Sequence, residues 1–153
     1  YTTLFRSLDV EIDTWTGQVE TKRAVMGSDC GTVINPKLAA GQLEGGLSMG
    51  AGYAVYEDAR WDARGHLVSG GYWIDAKTPS IGEAPNVDDL KVHFAETYEP
   101  TGPFGAKGIG EAAMNPVAAA YGNAIYNAVG VRFYTLPITA EKILKALRGG
   151  ADE

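Results

Sequence analysis

The sequence predicts an α+β fold, a mixed or antiparallel sheet packed with helices, and three patterns in it carry that prediction. Near the N-terminus and again around residue 90, apolar and polar residues alternate with the period of two that a half-buried strand requires. Two Asn-Pro pairs, at 35–36 and 115–116, each open a stretch with helical spacing. The resulting order, β-β-α-β-β-α-α, groups strands together and is not the strict alternation of a doubly wound parallel sheet.

Leu8, Val10 and Ile12 alternate with Ser7, Asp9, Glu11 and Asp13, so one strand face is apolar. "TWTG" at 14–17 supplies a turn, and 18–29 reads as the return strand of a hairpin. Asn35 is a good N-cap and Pro36 fits the first helical position, which predicts a helix over 36–57. Leu43, Leu47, Ala51 and Ala54 form its core stripe. Gln42, Gly45, Gly46, Met49 and Tyr53 form a different stripe. Each interior glycine costs a helix up to ~1 kcal/mol relative to alanine, so Gly41, Gly45, Gly46, Gly50 and Gly52 require a reason. Either helices pack closely there, or something other than protein lies against this face and Gln42 hydrogen-bonds to it.

Beyond a turn at Arg64-Gly65, strands are expected over 66–73 and 89–97, the second with Leu90, Val92 and Phe94 on one face. The second Asn-Pro pair starts a helix over 115–130, apolar at 117, 120, 121, 124 and 128, which Gly130 ends as a C′ residue. Thr139 caps a last helix. Ile138 is placed to staple onto Ile143, and Gly149 marks the stop.

The bulk numbers narrow the function. With 153 residues, 45% hydrophobic and 21% charged, the chain suits one domain, 1–153, with a real core. A net charge of −6 argues against nucleic acid and anionic membranes as partners. No apolar run approaches the ~18 residues that span a bilayer. The single Cys30 makes no internal disulfide and no thiolate metal cluster, so the expected location is cytoplasmic. The chain starts at Tyr1, almost at once in a strand pattern, which suggests a fragment or a split subunit of a larger protein.

The 20 glycines, about 13% against a usual ~7%, cluster at 41–52, 65–71 and 102–110. The last cluster ends on a carboxylate: "TGPFGAKGIGEAAMNP", 101–116. It is not a P-loop, because Lys107 is not preceded by glycine and is not followed by Ser or Thr. Gly108 to Ala113 match a dinucleotide fingerprint formally, yet a long proline-containing loop precedes them. Glu111 would also oppose a pyrophosphate at a helix N-terminus. Two readings of Glu111 stay open. It is an exposed acid at the start of the next helix, favoured by the helix dipole. Or it is a base among Gly, Ile and Ala with little water around it, its pKa raised by desolvation.

"GPFGAKGIGEAA", with "DCGTVINPKLAAGQLEGGLSMGAGYAVYED" and the pattern over 122–147, resembles the C-terminal part of the molybdenum-binding subunit of the xanthine dehydrogenase/aldehyde oxidase family of molybdenum hydroxylases. The resemblance covers nearly the whole chain. It implies the C-terminal segment of a molybdopterin-binding domain, with molybdenum held by the dithiolene of the pterin, in bacteria usually as the cytosine dinucleotide, so that no protein side chain is expected as a metal ligand. It implies that Glu111 is the general base for the water-derived oxygen that attacks an aldehyde or N-heterocyclic carbon. The backbone of Lys107, Gly108, Ile109 and Gly110 is implied near the metal site, and Gln42 on the pterin. Electrons would leave through [2Fe–2S] clusters to FAD on partner chains or domains, alongside the remainder of the molybdenum subunit. The alternative is a non-catalytic module that keeps the fold without cofactor. "AAMNP" after Glu111 departs from the two prolines frequent in purine-oxidising members, so xanthine is not implied as the substrate.

Cys30 is expected to be a small buried residue, and His66 and His93 surface or interstrand residues. Trp61, Trp73, Tyr53 and Tyr56 are expected as core or interface anchors. Tyr98 to Phe104 either line a substrate channel or merely connect. Glu44 is expected in a structural ion pair or cap.

Overall fold

The computed structural model describes residues 4–72, 74–84 and 87–149. Strand β1 (Leu4–Ile12) and strand β2 (Val19–Ser28) form an antiparallel hairpin. Its turn is organised by Asp13, whose Oδ1 accepts from the amides of Trp15 and Thr16 at 2.7 and 3.1 Å, while Gly17 takes φ +74°. The register shifts between Asp9 and Val10, a bulge that keeps Leu8 and Ala24 facing the core. Strand β5 (Leu90–Phe94) adds to β2 in parallel, giving the order β1-β2-β5. A parallel neighbour requires a long crossover, and helix α1 (Pro36–Ala51) lies within it, as does a short hairpin of β3 (Arg60–Trp61) and β4 (Leu67–Ser69). Helix α2 (Val117–Val129) and helix α3 (Ala140–Leu147) complete the chain. The fold is therefore α+β on a mixed sheet.

One core joins sheet and helices. Ala24 and Met26 of β2 meet Leu43 and Leu47 of α1, and Val117, Tyr121 and Ile125 of α2, all almost fully buried. Inside it the Tyr121 hydroxyl and Thr21 Oγ1 bond to each other, so each satisfies the other. The core stripe expected on the first helix is found: Leu43, Leu47, Ala51 and Ala54 are buried.

Several boundaries differ from the sequence expectation. The helix expected over 36–57 is α-helical only to Ala51 and continues as a π-turn, Gly52–Tyr56. There the Glu57 amide reaches back to Gly52 O at 2.8 Å, and Ala54 O accepts the Ile138 amide at 2.7 Å. The widened turn thus hands a carbonyl to the C-terminal segment. The strand expected over 66–73 is only Leu67–Ser69, because Asp75 accepts the amides of Gly70 and Tyr72 and turns the chain out of the ladder. Trp73 lies outside the described residues. The strand expected over 89–97 ends at Phe94.

Caps and anchors split. Asn35 Oδ1 accepts the Leu38 amide at 3.1 Å and Thr139 Oγ1 that of Lys142 at 3.3 Å, as expected. Asn115 does not cap: α2 begins after Pro116, out of a preceding turn at 114–116, and has no side-chain cap. Gly130 ends α2 at φ +75°, and Ile138 and Ile143 are both buried in the core. Ala128, expected to face inward, is exposed, and Ile125 takes the core position. Trp61 is exposed rather than a core anchor, while Tyr53 and Tyr56 are half-buried. Cys30 is buried, and His66 and His93 are exposed.

Candidate functional site

The polar stripe of α1 faces the loop that carries Glu111. Gln42, Gly45, Gly46 and Met49 from the helix, with Gly110, Glu111 and Met114 from the loop, line a cavity of about 180 Å³. Gln42 also walls a second cavity of about 200 Å³, between Cys30–Ala39 and the backbone around Ala106, Lys107 and Ile109. The side-chain amide of Gln42 donates to Gly110 O at 3.5 Å, across 68 positions of sequence. Gln42 thus lines both cavities: it meets Gly110 and Glu111 in the first, and Lys107 and Ile109 in the second. Gly108, on the same loop, is exposed.

The α1 glycines divide between two roles. At Gly46 and Gly50 an added Cβ would collide with Ala113 and with the Val117 side chain, so these two permit close packing. At Gly41 and Gly45 an added Cβ would meet nothing within 4 Å, and the same holds across the loop at Gly108 and Gly110. Close packing therefore explains Gly46 and Gly50, while Gly41 and Gly45 border open space.

Glu111 opens a single 3₁₀ turn, Glu111–Ala113, and is exposed. The water-poor surroundings expected of it are not supplied by the described residues of this chain. What holds the turn is Arg6: its Nη2 donates to Ala113 O at 2.8 Å and its Nη1 to Gly27 O at 3.1 Å, tying the turn to the sheet.

Upstream, the loop is pinned. Lys107 donates its amide to Cys30 O at 2.7 Å, Thr32 donates to Gly105 O at 2.8 Å, and Gly31 bridges Ala106. The Lys107 ammonium lies 2.7 Å from Asp29 Oδ2, the two side chains being 16% and 13% exposed. Asp29 Oδ1 accepts the Gly31 amide at 3.1 Å and the Thr97 hydroxyl. The Lys107 ammonium holds the Asp29 carboxyl far below the usual carboxylate range, with the Thr97 and Gly31 bonds adding to it. Sequence reasoning missed Asp29, because nothing in a lone acid before Cys30 signals a partner so distant in the chain. Tyr98 and Phe104 are exposed and line neither cavity. Phe104 sits at φ 55° in a connecting turn, so the channel reading is not supported by this geometry. Glu44 is exposed.

The chemistry of the groove is compatible with a polar cofactor. Its walls offer bare backbone, apolar side chains such as Leu38, Met49 and Met114, and the side-chain amides of Asn35 and Gln42, which can both donate and accept. Among the described residues no group of three or more His, Cys, Asp or Glu could hold a metal ion. The family described as the molybdopterin cofactor-binding domain matches residues 1–85, and the chain belongs to that family. The xanthine dehydrogenase molybdenum-binding subunit of Escherichia coli O157:H7 is 36% identical over 136 residues, covering 89% of this chain and 18% of that protein. Among solved structures, an aldehyde oxidoreductase from Desulfovibrio gigas superposes with a TM-score of 0.85 at 34% identity, over 96% of this chain and 15% of that one. Quinoline 2-oxidoreductase from Pseudomonas putida 86 gives 0.83 at 32%, over 93% and 18%. The chain thus spans less than a fifth of the length of these relatives. No described helix is long and apolar enough to cross a membrane.

Proposed function

We propose that this chain supplies one wall of the cofactor and substrate site of a molybdenum hydroxylase, with Glu111 as general base. The observation that carries this is the meeting of Gln42, Gly45, Gly110 and Glu111 around one cavity. Bound here, molybdopterin would supply the two-electron oxidation of a substrate carbon, an aldehyde or an N-heterocycle, whose new oxygen comes from water. Gln42 would hydrogen-bond the pterin through its side-chain amide. The backbone of Lys107, Gly108, Ile109 and Gly110 would approach it closely, since no side chain fills the space beside Gly108 and Gly110. A Glu111 carboxylate oxygen would accept the proton of the attacking oxygen, within reach of the reacting carbon in the same cavity.

Each cavity, at about 180 and 200 Å³, is smaller than the ~300 Å³ at which ligand pockets usually begin. The remaining walls, and the exclusion of water from Glu111, would come from the rest of a molybdenum subunit. Partner subunits with [2Fe–2S] clusters and FAD would take the electrons, the cytosine dinucleotide being the expected cofactor form and the cytoplasm the expected location. A second reading, a module without cofactor, draws on the exposure of Glu111.

In the complete enzyme, Glu111→Gln should keep its pterin and lose turnover by the ~10²–10⁴-fold that general-base catalysis contributes. Near-normal turnover would remove Glu111 from the mechanism. An assembly that carries neither pterin nor molybdenum would favour the second reading.

A further inference from the structure

We infer that Asp29 is a positioning residue: through Lys107 it fixes the loop 105–111 against the N-terminal end of α1 and so sets the groove in which Gln42 and Glu111 meet. This rests on the reading of that groove as the cofactor site. Beyond Lys107 the loop is held by the long Gln42 bond to Gly110 O and by half-buried Ile109, while the space beside Gly108 and Gly110 is empty to 4 Å. Glycine carries the largest backbone entropy loss on ordering, so this segment needs an anchor at its base. Lys107 is that anchor and is held at both ends, its amide on Cys30 O and its ammonium on Asp29, both at 2.7 Å.

Asp29 is in turn held by Thr97 and by the Gly31 amide. It lies on the segment that leads into Asn35, the cap of α1. One carboxylate therefore joins the base of the loop, Thr97 in the segment after β5, and the approach to the helix bearing Gln42. The Lys107 side chain is drawn to Asp29, which leaves the loop its backbone to present to a ligand. Removing the carboxylate would take its charge from beside a largely buried ammonium, which a neutral replacement does not compensate.

The test uses the assembled enzyme that contains this chain. Hydrogen exchange at the amides of 105–111 is compared with exchange in β1 and β2, together with pterin release, kcat and KM. Asp29→Asn should speed exchange in 105–111 and pterin release by about tenfold or more, with β1 and β2 unmoved and kcat falling more than KM changes. The exchanged pair, Asp29→Lys with Lys107→Asp, should recover part of the loop protection. Thr97→Ala, a milder change, should shift the same quantities in the same direction and keeps the test open should Asp29→Asn not assemble. An unaltered loop, or protection lost equally throughout the chain, would overturn the inference. A loosened loop with pterin retention unchanged would uphold the anchoring of the loop and remove the cofactor reading of the groove.

Discussion

Gly46 and Ala113 touch where α1 crosses the turn that carries Glu111, so closely that a Cβ on Gly46 would overlap that of Ala113. One residue earlier, at Gly45, the same addition meets only open space. Gly46→Ala should therefore lower stability by about 1–3 kcal/mol through overpacking, although alanine is the better helix former. Gly45→Ala should be neutral or up to ~1 kcal/mol stabilising. Gly45→Leu should fold equally well and fail to retain pterin, because its side chain fills the groove. Denaturant midpoints and pterin content separate the three.

Arg6 bridges Gly27 O and Ala113 O and so couples the sheet to the Glu111 turn. Arg6→Met should cost about 1–3 kcal/mol, the usual price of leaving partly buried carbonyls without donors. Lysine should restore only part of it, because a single ammonium on a flexible stem lacks the planar fork that spans two acceptors. Equilibrium unfolding of the three proteins checks the order Arg, Lys, Met.

The two Asn-Pro pairs should respond differently to alanine. Asn35→Ala removes a formed cap and should cost ~1 kcal/mol. Asn115→Ala should cost less than half of that, since α2 has no side-chain cap. Equal losses would show that Asn115 supports the turn before α2 in some other way.

Stability should fall at both extremes of pH, for separate reasons. The Asp29 carboxyl is depressed in the folded protein, so it stabilises above its unfolded value near ~4 and loses that contribution as pH falls below it. Burial, aided by nearby Tyr121, pushes the Tyr56 phenol up to about 12, and burial raises Tyr121 as well. Both favour the folded state while protonated. Stability should therefore decline as pH rises from the unfolded value near ~10 toward about 12. Unfolding midpoints across pH test this. Asp29→Asn should flatten the acid limb alone, and Tyr56→Phe should soften only the alkaline one.

The elements were legible where their signal is local. Alternation at Leu8, Val10 and Ile12, the cap at Asn35 and the αL stop at Gly130 depend on near neighbours in sequence, and the chain forms them as read. The short β4 was over-read, because a side chain five positions along, Asp75, competes for the amide of Gly70. Asn115 was misread, because it lies within the turn at 114–116 that already sets the entry into α2.

By itself the sequence determined the fold class and the two stripes of α1, and it singled out Gln42 and Glu111 as candidates, since composition and spacing along one helix or loop are written in order. Only the tertiary structure decided which glycines pack and which stand open, that Glu111 is exposed on this chain, and that Asp29 holds Lys107. Those properties arise between residues far apart in sequence, where burial and ion pairing depend on which surfaces the fold presses together, and no local pattern encodes that.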